Sequence, residues 1–189
     1  MSSTDKPRLL VYAGPNGSGK STVTKATSPV GLYVNADEIK KSLGCSDLEA
    51  AQRAELTREA LLKVKKDFTF ETVLSTDRNL NLLHAAKEAG YEITAVFVLT
   101  NDSAINVARI RKRFDAGGHD VPDKKIISRY ERSLANLPKL VRIADRTIII
   151  DNSGTLPDVI CEVMGNSVRI RENRFWNKKA ILELLYNQK

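Results

Sequence analysis

A chain of 189 residues with this pattern predicts an open α/β fold, a mainly parallel five-stranded sheet flanked by helices with a basic helical lid. Three observations lead there. Short apolar runs alternate with longer helical patterns, the signature of βαβ units and parallel pairing. A glycine-rich turn, GPNGSGKST, follows the first apolar run and opens a helix. Residues 102–137 carry no strand signal but hold two helical stretches with a surplus of basic side chains.

The elements follow in order. RLLVYA at 8–13 reads as a buried strand, and 20–26 as the helix after it, with Pro29 and Gly31 closing the unit. A short strand is expected at 32–35. The stretch 47–66 is rich in strong helix formers and leads into the aromatic and β-branched strand 68–73. A helix at 80–89 ends at Gly90, and 91–99 (YEITAVFVL) is the clearest strand of all. Beyond the helical excursion, RTIII at 146–150 supplies the last core strand. Segments 159–163 and 167–170, joined by Gly165 and Asn166, fit a hairpin or an edge strand, and 175–186 a terminal helix. A single domain over 1–189 is expected, with the lid at about 102–137 and a C-terminal appendage at about 155–189.

Composition narrows the function classes. The longest relevant apolar run, 93–99, is too short to cross a bilayer, which takes roughly 20 residues. The first ten residues do not read as a secretory signal, so the cytoplasm is the expected location. Cys45 and Cys161 have neither CxxC nor Cys/His spacing, which argues against a disulfide framework or a zinc site. Thirty Lys and Arg against 23 Asp and Glu give a formal charge of +7 and favour an anionic partner. With 6% aromatic residues and no basic stretch interleaved with them, a phosphorylated small molecule is favoured over nucleic acid.

The turn comprises Gly14, Pro15, Asn16, Gly17, Ser18, Gly19, Lys20, Ser21 and Thr22 and fits the P-loop pattern in the required strand–turn–helix context. Such glycines let successive N–H groups point at phosphate oxygens, and the helix adds the positive end of its dipole. Lys20 is expected to reach the β- and γ-phosphates of ATP and Ser21 to ligate Mg²⁺. The sheet is therefore of the P-loop NTPase type. Asp37, after the short second strand, has two readings: the base that takes the acceptor's proton, or a helix N-cap or first-turn acid. Glu71, at a strand end beside Phe68 and Phe70, either serves Mg²⁺ or a substrate hydroxyl, or forms a structural salt bridge. Arg109 and Arg113 share one helix face, and Arg129 and Arg132 another. Either pair can close over phosphates or remain a solvated face. Gly117 and Gly118, before His119, read as a lid joint or a plain turn. Asn152, in the loop after the last core strand, holds adenine or simply makes an Asx turn.

Taken together, GPNGSGKST, VNADEIKK, FETVLST and RIRKRFDAGGHDVPDKKIISRYERSL resemble the zeta toxin family of P-loop kinases, from about residue 8 to 153. The resemblance implies a kinase using ATP and Mg²⁺ to phosphorylate a sugar hydroxyl of a UDP-linked amino sugar, typically UDP-N-acetylglucosamine. By position it implies Asp37 as general base, Lys20 as P-loop lysine and Glu71 as substrate-site acid. It further implies Arg113 and Arg129 as phosphate-stabilising arginines, and a separate antitoxin protein as partner. Two positions depart from the larger toxins: Val73 replaces a threonine that touches substrate, and His119, a further substrate-site candidate, stands near an arginine position. The alternatives are another acceptor, such as a nucleoside, another nucleotide sugar or an RNA end, and a non-catalytic ATP-binding switch.

Overall fold

The computed structural model describes residues 6–115 and 121–186. Its elements are β1 (Arg8–Ala13), α1 (Lys20–Lys25), β2 (Leu32–Val34), α2 (Ala36–Leu43), α3 (Asp47–Lys63), β3 (Phe68–Thr72), α4 (Arg78–Glu88) and β4 (Glu92–Leu99). They continue with α5 (Ser103–Asp115), α6 (Asp123–Ile143), β5 (Arg146–Asp151), β6 (Asp158–Met164), β7 (Ser167–Ile170) and α7 (Lys178–Tyr186). One sheet holds every strand, in the order β2-β3-β1-β4-β5-β6-β7.

The first five strands are parallel to their neighbours, and the last two pair antiparallel. The expected five strands thus form the parallel part of a seven-stranded sheet. The difference arises because the 158–170 hairpin docks on β5 instead of standing apart. Its inward residues Ile160, Cys161 and Val163 are buried, and that burial is what secures an edge hairpin to a sheet.

Strand alternation sorts the core into two faces. From β1 and β4, Leu9, Val11, Ala13, Ile93, Ala95, Phe97 and Leu99 join the larger core with residues of α4, α6 and α7. Leu10, Tyr12, Val96 and Val98 face the smaller one with Val23 of α1. Full burial of each large apolar side chain is worth roughly 1.5–3 kcal/mol, so the central strands are the most firmly held part of the fold.

The helical excursion is present, but its second helix is rooted in the core. α6 runs past Pro138 to Ile143, and Ile126, Tyr130, Leu137, Leu140 and Ile143 are buried along it. The terminal helix begins later than expected because Asn173 accepts from the backbone N–H groups of Phe175 and Trp176, holding a turn there. Asn177 then accepts from Ala180 N–H, the geometry of an N-cap. Among the described residues, no helix is long and apolar enough to cross a membrane.

Candidate active site

The carboxyl ends of β1, β2 and β3 open into a cleft of about 450 Å³, where an open α/β sheet places its ligands. Its floor is the 14–22 turn. Gly14 has φ +136°, and a Cβ there would sit 2.0 Å from the Val98 carbonyl oxygen. Gly19 has φ +92°, and a Cβ would lie 2.2 Å from Asn152 Nδ2. Both positions require glycine, on sterics and on backbone conformation.

The loop is braced from below. Lys20 Nζ donates to the carbonyls of Gly14 and Pro15 at 2.7 and 3.0 Å, curling back over the turn. Asn106 of α5 donates to Asn16 O at 2.6 Å and shares a short hydrogen bond with Thr100. Asn152 Nδ2 donates to Ser18 O at 2.7 Å, so its side-chain amide supports the phosphate loop. Arg109 in turn donates to Asn152 O at 2.9 Å.

Burial pushes the Lys20 ammonium down to about 8, Glu71 opposing and nearby Arg113 reinforcing the shift. A lysine in that state gains strongly from a bound polyanion. Three buried polar atoms around the loop, Asn16 Oδ1, Ser18 Oγ and Arg109 Nη1, lack a hydrogen-bond partner among the described residues. Asn16 and Arg109 line the cleft, where a nucleoside triphosphate offers oxygens and donors of the kind these two side chains need.

Glu71 sits on the face opposite Phe68 and Phe70, which strand alternation sends into the larger core. Its partners are hydroxyls: Ser21 at 3.2 Å, Thr24 at 2.8 Å and Tyr33 at 2.8 Å. No lysine or arginine ion pair to it occurs among the described residues, so the salt-bridge reading is not what the structure displays. Tyr33 accepts in turn from Asn35 Nδ2 at 2.8 Å. Burial, together with the Glu71 and Glu38 charges, holds the Tyr33 phenol well above its usual range, with the Asn35 contact opposing.

At the β2–α2 junction the two readings of Asp37 separate. Asn35 is the cap: its Oδ1 accepts from Asp37 N–H at 2.8 Å and Glu38 N–H at 3.4 Å. The Asp37 carboxylate is therefore not used for capping; it is exposed and lines the cleft wall across from Lys20, Ser21 and Thr22.

The basic residues divide between two spaces. Arg109 and Arg113 of α5 line the P-loop cleft. Arg129 of α6 instead lines an adjoining cleft of about 570 Å³ on the far side of Glu71, Thr72 and Val73. The arginines expected as a pair thus approach from two sides. Residues 117–119, including the candidate His119, lie outside the described residues.

Sequence reasoning missed Tyr33, Asn35, Asn106 and Arg58. Asn35 carried a readable signal, an Asn followed after Ala36 by two acidic residues in the first turn of a helix. Arg58 carried none, being one basic residue on a helix rich in charge. Oxygen groups from Ser21 and Glu71 converge at the mouth of the loop, a donor set suited to a hard divalent cation that takes its other ligands from phosphates and water.

The zeta toxin family model matches residues 1–159. An uncharacterized protein of Haemophilus influenzae is 28% identical over 129 residues, covering 65% of this chain and 92% of its own length. Among solved structures, AvrRxo1-ORF1:-ORF2 with ATP superposes with a TM-score of 0.71 at 15% identity, over 95% of this chain. This chain spans 64% of the length of that one. The PezAT chromosomal toxin-antitoxin system of Streptococcus pneumoniae gives a TM-score of 0.55 at 17% identity, over 82% of this chain and 73% of the other. Those two likenesses are likenesses of fold. With the family model covering most of its length, the chain belongs to the zeta toxin family and is a phosphotransferase of the P-loop kinase type.

Proposed function

We propose that this chain transfers the γ-phosphoryl group of ATP to a sugar hydroxyl of a UDP-linked amino sugar, UDP-N-acetylglucosamine being the first acceptor to test. One observation carries the reading: Asp37 has a carboxylate free of capping duty on the wall of the cleft that holds Lys20, Ser21 and Glu71. A carboxylate there accepts the proton of the attacking hydroxyl as its oxygen bonds to phosphorus. ATP is the donor, in keeping with the ATP-bound AvrRxo1 relative. Gly14, Pro15, Asn16, Gly17, Ser18, Gly19 and Thr22 shape the seat for its phosphates.

Lys20 leaves its two carbonyl partners for the β- and γ-phosphates, and Arg113 stabilises charge on the transferring group. Arg129 approaches from the acceptor side. Ser21 and Glu71 would hold Mg²⁺, which when bound neutralises phosphate charge. Glu71 also orients Ser21 and Tyr33, and Asn152 keeps the loop in shape. Since the PezAT relative is a toxin-antitoxin system, a separate antitoxin protein is the partner this reading brings with it, and the cytoplasm is the compartment holding such substrates.

The test is ADP release from ATP and Mg²⁺ with UDP-N-acetylglucosamine, other nucleotide sugars, nucleosides and RNA ends as separate acceptors, Asp37→Ala alongside. Turnover with UDP-N-acetylglucosamine that vanishes in the variant supports the reading. Turnover with another acceptor alone would replace the substrate, and ATP binding without turnover would make the protein a nucleotide-dependent switch.

A further inference from the structure

The adjoining cleft is walled by three guanidinium groups, and among the described residues only that of Arg78 has a carboxylate partner. Arg78 is paired with Glu55 at 3.2 Å. Arg129 reaches in from α6. Arg58, on α3, stands where the two clefts meet, since it lines both together with Ala36, Glu71, Thr72 and Val73. Its guanidinium carbon lies 5.1 Å from the centroid of the Phe70 ring. Its Nε is buried without a hydrogen-bond partner, and it forms no ion pair with another described residue.

A half-buried guanidinium that rests on an aromatic face, with an enclosed Nε and no hydrogen-bonded carboxylate among the described residues, is an incomplete arrangement, because its planar fork of donors matches two oxygens of one anion. Burial lowers the pKa of Arg58, with Glu55 and Glu59 opposing the shift and Arg78 adding to it. The donor phosphates have their own cations in Lys20, Arg109 and Arg113 on the other side of Glu71.

Resting on the acceptor reading above, we infer that Arg58 is a specificity-determining residue that binds a phosphate group carried by the acceptor. An oxyanion there receives the Arg58 fork from one wall and faces Arg129 from the other. A neutral sugar leaves both groups without a partner, which makes the cleft selective for the phosphorylated form.

The probe is inorganic pyrophosphate, titrated into protein whose donor site is saturated with Mg²⁺ and the ATP analogue AMP-PNP. The wild-type chain, Arg58→Met and Arg58→Lys are compared by calorimetry, with fluorescence of the single tryptophan, the buried Trp176, as the check on folding. The expected result is a second anion site that weakens by about tenfold or more in Arg58→Met and by less in Arg58→Lys. Uridine binding should stay unaltered.

Absence of a second site, or pyrophosphate affinity unchanged within about twofold in both variants, overturns the inference. So does a parallel fall in AMP-PNP affinity, which would assign Arg58 to the donor. If Arg58→Met fails to fold, the same reading is taken from Arg58→Lys, where loss of the planar fork must weaken pyrophosphate. Because the readout is binding, an Arg58-dependent pyrophosphate site without turnover of UDP-N-acetylglucosamine would retain this inference while removing the proposed acceptor.

Discussion

The two clefts that meet at Glu71 are built in different ways. On the P-loop side a continuous run, residues 14–22, folds on itself through its own Lys20 ammonium, and the rest of the protein braces it through Asn106 and Asn152. On the adjoining side, where we place the acceptor's phosphate, no such run exists. Arg58 of α3, Glu71 of β3, Arg78 of α4 and Arg129 of α6 come together only because the sheet order sets β3 between β2 and β1. A phosphate loop is a property of backbone shape and tolerates almost no change of side chain at its glycines. An acceptor cleft is a property of side chains and can be altered residue by residue, which is how a common donor site comes to serve different acceptors.

The comparison is broken most severely at Lys20. Lys20→Ala should lower phosphoryl transfer by about 10³-fold or more while leaving the fold intact by Trp176 fluorescence, because positioning and charge supply most of such catalysis. A loss of folding instead would show that the lysine serves the loop's structure more than its ligand.

A second test separates the clefts by pH. Lys20 titrates near 8 in the free protein. Bound phosphates favour its charged form, so AMP-PNP binding takes up a proton above that pH. Below 8 the lysine is already charged and affinity should be flat. Above 8 it should fall by up to about tenfold per unit until the pKa of the complex is reached. Pyrophosphate binding in the acceptor cleft should lack this slope, as should AMP-PNP binding to Lys20→Ala. Equal slopes at both sites would contradict the division.

Tyr33→Phe sharpens the comparison at the seam. It removes the hydroxyl that joins Glu71 to Asn35 and should lower kcat by about fivefold to tenfold with little change in AMP-PNP affinity. The smallest effect is expected for Asn152→Ala, which withdraws one hydrogen bond from Ser18 O. AMP-PNP affinity should weaken by about threefold to fivefold, the acceptor cleft being untouched.

The same division explains what could be read from the sequence. The P-loop was legible because its meaning lies in local spacing after a strand. The parallel strands were legible because burial on both faces leaves continuous apolar runs such as 93–99. Asp37 was half legible: its place at a helix start was plain, but that Asn35 takes the capping role emerges only from the β2–α2 geometry. Tyr33 and Arg58 were not legible, because their importance depends on which strands neighbour one another and on which face. Tyr33 pairs in register with Thr69, two residues before Glu71 on the same face of β3. The docking of the 158–170 hairpin was likewise a tertiary matter, decided by apolar burial against β5 and not by its turn residues.

The division of labour is tested most directly in Asp37→Asn, by measuring AMP-PNP affinity and the rate of phosphoryl transfer to UDP-N-acetylglucosamine in one preparation. The expected result is affinity within about twofold of wild type and transfer reduced by about 10²–10⁴-fold, since only the proton acceptor has been removed. Transfer at the wild-type rate, or an equal fall in affinity, would contradict it.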